Sequence, residues 1–112
     1  MDIETFREYC LNKKGVTEEL PFGPDTLVFK VMGKAFALTS LGSTPFSANL
    51  KMDPDLVPDY REKYEAVQPG YHMNKKHWNT IIVDNTLTAK QLKELINHSY
   101  ELVYKPRKKS GK

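Results

Sequence analysis

A single cysteine, Cys10, in 112 residues excludes an internal disulfide and leaves no thiolate cluster for a structural zinc. No apolar run approaches the roughly 20 residues needed to span a membrane. The amino terminus, Met1-Asp2-Ile3-Glu4, lacks the basic and apolar regions of a signal peptide, so a cytoplasmic location is expected. The six glycines are scattered at 15, 23, 33, 42, 70 and 111, and none builds a loop that would cradle a nucleotide phosphate. No serine, cysteine or carboxylate is tied to a histidine by a recognisable catalytic spacing. These absences point to a small binding module with no cofactor and no metal, and not to an enzyme.

What is present suffices for one fold. Hydrophobic residues at 39% and aromatics at 11% can build a core, and 112 residues are too few for two. The expectation is a single domain over residues 1–104, followed by a disordered basic tail over 105–112. That tail matters to the charge count. Of 17 basic residues five lie in it (Lys105, Arg107, Lys108, Lys109 and Lys112), which leaves 12 basic against 14 acidic side chains, a formal −2, in residues 1–104. An anion-binding face must then be a local patch and not a global field.

Periodicity places the elements. Asp2 suits the cap of a first helix running to about Asn12, with Ile3, Phe6 and Cys10 on one face and Gly15 as its stop. Cys10 on that face reads as buried filler. Residues 16–25 turn extended and angular, because Pro21 and Pro24 forbid a helix. Residues 26–31 predict a strand with Leu27, Phe29 and Val31 on one side and Val28 and Lys30 on the other. Met32-Gly33-Lys34 is a tight connection to a second strand, 35–40. A third strand, 46–52, turns Phe46, Ala48, Leu50 and Met52 inward and Ser47, Asn49 and Lys51 outward, giving an antiparallel meander with one wet face.

Asp53-Pro54 is read as opening a helix whose stripe is Leu56, Val57, Tyr60, Tyr64 and Val67, with a split at Pro58 left open. Residues 78–83 predict a strand away from the sheet edges. The last helix has the strongest signals. Thr88 and Gln91 form a capping box, Leu87 and Leu92 a hydrophobic staple, and Leu92, Leu95, Ile96, Ser99, Leu102 and Val103 an inward face. The economical architecture is α+β: a two-layer sandwich with an antiparallel sheet and helices packed on one face.

The segment most suggestive of chemistry is Pro69-Gly70-Tyr71-His72-Met73-Asn74-Lys75-Lys76-His77-Trp78. Lys75 and Lys76 suit phosphate contacts, with Tyr71 or Trp78 for stacking or packing. The plainer alternative puts Tyr71 and Trp78 in the core and leaves the lysines to keep a loop in water, and composition alone favours it. His72 and His77 are five apart and would need further ligands, Asp84 or His98, in a spacing that matches no known metal pattern. Lys34 at a hairpin tip, with Lys30 and Lys51 on the solvent side of nearby strands, is a candidate basic stripe. The alternative is an ordinary solvated sheet face.

Three segments in order, Pro21-Phe22-Gly23-Pro24-Asp25, then Lys30-Val31-Met32-Gly33-Lys34-Ala35-Phe36-Ala37, then Pro69 to Trp78 as above, resemble the MmcQ/YjbR family. Asn49-Leu50-Lys51, Asp53-Pro54 and the closing Leu-rich helix with Ser99-Tyr100 also match. The resemblance covers about residues 1–104 and implies a small bacterial protein of CyaY-like α+β fold. It also implies DNA binding by a double-wing motif of β-hairpins. On this sequence the wings map to the hairpin around Gly33-Lys34 and to the Tyr71–Trp78 segment. The expected partner is DNA, bound weakly and with little sequence preference through Lys34, Lys75 and Lys76, with Lys30, Lys51, His72 and His77 as further candidates. Two alternatives accompany it. A protein-binding adaptor or chaperone-like module fits the same fold, and a frataxin-like iron site would draw on the first helix, where Asp2, Glu4 and Glu8 are diluted by Arg7, Lys13 and Lys14.

Overall fold

In the computed structural model, which describes residues 1–42, 45–71 and 73–104, the chain runs α1 (Ile3–Leu11), β1 (Thr17–Glu19), β2 (Thr26–Val31), β3 (Lys34–Ser40), β4 (Ser47–Lys51), α2 (Val57–Lys63), β5 (Val67–Pro69), β6 (Trp78–Ile82) and α3 (Ala89–Val103). The proposed tail and His72 lie outside the described residues. All six strands join one antiparallel sheet in the order β1-β2-β3-β4-β6-β5. β2, β3 and β4 are the expected meander, β1 is added along its outer edge, and β6 enters between β4 and β5, away from both edges. No helix among the described residues is long and apolar enough to cross a membrane.

Strand alternation decides which face the helices cover. Leu27, Phe29 and Val31 of β2, Ala48 and Leu50 of β4, and Ile81 of β6 all turn to one side. Phe6 and Cys10 of α1, Val57 of α2, and Leu92, Leu95, Ile96, Tyr100 and Val103 of α3 close over them. Burial pushes the Cys10 thiol up to about 12, which keeps it protonated and inert. On β3 the alternation is broken by a bulge. Phe29 pairs with Ala37 and Lys30 with Ala35, so Phe36 is the extra residue, and both Phe36 and Ala37 face the core. Ser99 of α3 serves this irregularity: its hydroxyl donates to the Phe36 carbonyl and accepts from the Lys51 N–H at 2.9 Å.

Both terminal helices start where their caps dictate. The Asp2 carboxylate accepts from the Thr5 N–H at 2.8 Å, which holds its pKa below the usual range. Thr88 and Gln91 make the reciprocal capping box, at 3.0 and 2.9 Å, and Leu87 packs on the core as the staple requires. On α3, Tyr100 is buried at a position missing from the expected stripe, while Leu102 is only half-buried.

Two expectations are corrected. The helical segment from Asp53 shrinks to Val57–Lys63, because Pro58, which can supply no N–H to the helix, fits only its first turn; Asp53 to Leu56 form a separate turn and Val67 joins β5. The outer face of the sheet is not uniformly wet either. Val28, Leu38 and Trp78 form a second, small apolar cluster there, with Ala35 and Met73 against it.

Candidate functional site

Strand direction gathers the basic candidates at one end of the sheet. β2 ends at Val31, β3 begins at Lys34, β4 ends at Lys51 and β6 begins at Trp78, so the hairpin tip, Lys51 and the loop carrying Lys75, Lys76 and His77 share that end. Neighbouring strands lie about 4.8 Å apart, so the backbone distance from β3 to β6 across this end is on the order of 10 Å. Lys34, Lys75, Lys76 and His77 are exposed. At the opposite end stand Asp25, before β2, and Asp84, after β6, both exposed.

The loop from Gly70 to His77 is built by identifiable contacts. Gly70 donates to the Trp78 carbonyl at 3.0 Å, and a Cβ on Gly70 would come within 2.9 Å of that same oxygen, so only glycine fits. The Asn74 side chain accepts from the Lys76 N–H at 2.9 Å and its carbonyl accepts from Trp78 N–H at 3.0 Å, which closes a tight turn under the two lysines. Arg61 of α2 then clamps the loop. Its Nε donates to Asn79 Oδ1 at 2.8 Å, and one terminal nitrogen donates to the carbonyls of Lys75, at 2.5 Å, and Trp78, at 3.1 Å. Asn79 is 1% exposed, so this charge-assisted bond satisfies a buried carbonyl while fixing the backbone of Lys75.

Lys51 pairs with Trp78 in the ladder, and its ammonium lies 5.6 Å from the indole centroid. The residues that follow are anchored in turn: Met52 N–H to the His77 carbonyl at 2.9 Å, and Asp53 N–H to His98 Nε2 at 3.1 Å. These bonds lead the chain, with Asp53 and Asp55, toward the helical layer.

The basic stripe is thinner than expected. Lys30 does face the open side, but it pairs with Glu19 of β1 at 3.1 Å, since both neighbour the β1–β2 ladder on that face. Lys34 pairs with Val31, whose side chain is in the core, and so borders the end of the sheet without joining the open face. Among the described residues the two ion pairs are Arg7–Glu18 and Lys30–Glu19, and neither engages Lys34, Lys51, Lys75 or Lys76. Trp78 is buried at 8% exposure and packs on Val28 and Leu38; Tyr71 is 71% exposed. The core alternative therefore holds for Trp78 and fails for Tyr71. His77 and Asp84 flank β6 at opposite ends, so these two side chains do not share a metal site. Among the described residues no three His, Cys, Asp or Glu side chains gather around a metal-sized site.

Two features were invisible in the sequence. Arg61 was one charge in a polar helix, and its role depends on the loop that folds against it. The other is a groove of about 640 Å³ on the open face, lined by the polar Thr26, Ser40, Ser47, Asn49, Gln68 and Thr80 and by the apolar or aromatic Phe22, Leu38, Tyr71, Met73 and Ile82. Only the insertion of β6 between β4 and β5 brings Asn49, Thr80 and Gln68 into one row.

Comparison with known proteins agrees with this architecture. Uncharacterized protein YbdF of Escherichia coli O157:H7 is 42% identical over 101 residues, 89% of this chain and 82% of that protein. Uncharacterized protein YjbR of Escherichia coli K12 is 29% identical over 101 residues, 90% of this chain and 86% of that one. The crystal structure of Deinococcus radiodurans protein DR2400, a DUF419 domain, superposes with a TM-score of 0.86 at 38% identity, over 94% of this chain and 80% of its own. The YjbR family model matches residues 11–102, and the chain belongs to that family.

Proposed function

We propose that the domain is a binding module for DNA, holding the phosphate backbone weakly and with little sequence preference through the basic end of its sheet. The observation that carries this reading is the convergence of Lys34, Lys51, Lys75 and Lys76 on that end, none in an ion pair among the described residues, with the Lys75 backbone clamped by Arg61. A lysine whose backbone is already held costs less ordering entropy on binding than one on a free loop. Because residues 1–104 carry a formal −2, the attraction is confined to this end.

Four neutralised phosphates give a slope of log affinity against log salt of about −3.6, with an affinity on the order of 10⁻⁴–10⁻⁶ M at physiological salt. The test is a salt titration with duplex DNA on the full chain with Lys105, Arg107, Lys108, Lys109 and Lys112 changed to glutamine, so that the tail charges do not contribute. Lys34→Ala, Lys75→Ala and Lys76→Ala together should flatten the slope to about −1. A control losing Lys14, Lys63 and Lys90, all exposed and on the helical layer, removes the same charge and should change little. Equal losses in the two variants would overturn the reading and leave a protein partner as the better account.

A further inference from the structure

The phosphate contacts use the end of the sheet and leave its open face unexplained. That face departs from an ordinary solvated one. Among the described residues no charged side chain lines its groove: Thr26, Ser40, Ser47, Asn49, Gln68 and Thr80 supply hydrogen-bonding groups beside Leu38 and Ile82, the lysines stand at one end of the sheet, and Asp25 and Asp84 stand at the other. Thr80 donates its hydroxyl to Asn49 Oδ1 and accepts the Tyr71 N–H at 2.9 Å. With its oxygen engaged, Asn49 keeps its amide nitrogen as a donor on the groove floor. Phe22, on the loop before β2, is 74% exposed at the far wall, and Leu38 and Met73 form an apolar shelf next to Lys51 and Trp78.

The main-chain groups of the inner strands point within the sheet, toward neighbouring strands, so a ligand lying on this face meets side chains and cannot add as a strand. A groove of mixed polar and apolar lining, with cations at one end of the sheet, matches a ligand with flat hydrogen-bonding rings on a polyanionic backbone. A duplex keeps its ring faces stacked and its Watson–Crick edges paired, so it offers this face phosphates and groove edges but no ring to stack.

We infer that the open face is a site for the bases of an unpaired DNA strand whose phosphates follow Lys51, Lys75 and Lys76. This rests on the DNA reading above and adds to it: duplex is held by charge alone, whereas a single strand gains base contacts in the groove. Phe22 serves as a stacking surface and Asn49 as a hydrogen-bond donor to base edges.

The experiment measures anisotropy of labelled oligo-dT of about 12 nucleotides, within the span of one small single-strand-binding fold, and of a duplex of equal length. It uses the tail-neutralised full chain at one salt concentration. The parent should bind the single strand about tenfold more tightly or better. Phe22→Ala should weaken single-strand binding about fivefold to a hundredfold, the range for losing one stacked base, and leave duplex affinity unchanged. Phe22 is too exposed for its loss to unfold the protein, and Asn49→Ala gives a second, independent probe of the floor. Equal affinity for both strand forms, equal losses on both, or displacement of oligo-dT by polyglutamate as effective as by unlabelled oligo-dT would overturn the base site while leaving the phosphate reading standing. Absence of binding to either form would overturn both.

Discussion

The two faces of the sheet are built from the same strands and do different work. On the covered face Phe29 and Phe36 lie under helices with no exposure, Phe6 meets Phe29 and Phe46 edge-on at 6.0 and 5.7 Å, and Phe36 meets Tyr100 at 5.4 Å. On the open face Val28, Leu38 and Trp78 are the buried apolar residues, and the groove beside them mixes polar side chains such as Ser47, Asn49 and Thr80 with exposed or half-buried apolar ones. The period of two along each strand lets one segment serve both purposes. Stability is concentrated on one side, and residues on the other can be changed at lower cost.

Phe36→Ala should give the largest effect. It removes a ring at the bulge, buried on the covered face, and should cost about 3–5 kcal/mol, most of the stability of a small domain. Val28→Ala on the open face removes less volume under thinner cover and should cost under about 2 kcal/mol. Urea denaturation of the two variants checks the contrast. Equal shifts in midpoint at constant m would mean that the second cluster is as integral as the first.

Arg61→Met should rank next and tests whether the faces communicate. Arg61 belongs to α2 in the helical layer, yet its guanidinium holds the loop that carries Lys75 and Lys76. Methionine keeps much of the stem but leaves the buried Asn79 oxygen without its donor, at a cost of about 1–3 kcal/mol. The salt slope for duplex DNA should also fall by about 2 if the two lysines lose their position. A melting temperature that drops while the slope holds would show that Asn74 alone fixes the loop.

Legibility followed the length and regularity of the signals. The long, periodic elements were readable: α3 from its capping box and staple, and β2, β4 and β6 from alternation or continuous apolar runs. The three-residue edge strands, Thr17–Glu19 and Val67–Pro69, have no period to detect and owe their conformation to the strands they pair with. The bulge at Phe36 could not be read because Ala35-Phe36-Ala37 offers no polar residue to mark the slip. For the site, lysine positions could be read but their pairing could not: Glu19 meets Lys30 only once β1 lies alongside β2. The groove depends on strand order, which local sequence does not encode.

The smallest expected effect lies at the tip where the two faces meet. Met32 and Gly33 form a two-residue hairpin loop with φ of +55° and +77°, a geometry that glycine and asparagine adopt readily and methionine does not. Met32 is 55% exposed, so its side chain gains little from packing in return. Met32→Asn produces the Asn-Gly pair favoured for this turn and should stabilise the protein by about 0.5–1 kcal/mol. A rise of a few degrees in melting temperature would register it. The same variant sharpens the functional boundary, because Met32 lies two residues before Lys34 on the same tip. If the tip contributes only the lysine charge, duplex affinity and salt slope stay at the parent values. Should affinity fall while stability rises, the strained methionine is itself part of the contact surface, and the binding region then extends from the end of the sheet onto the hairpin tip.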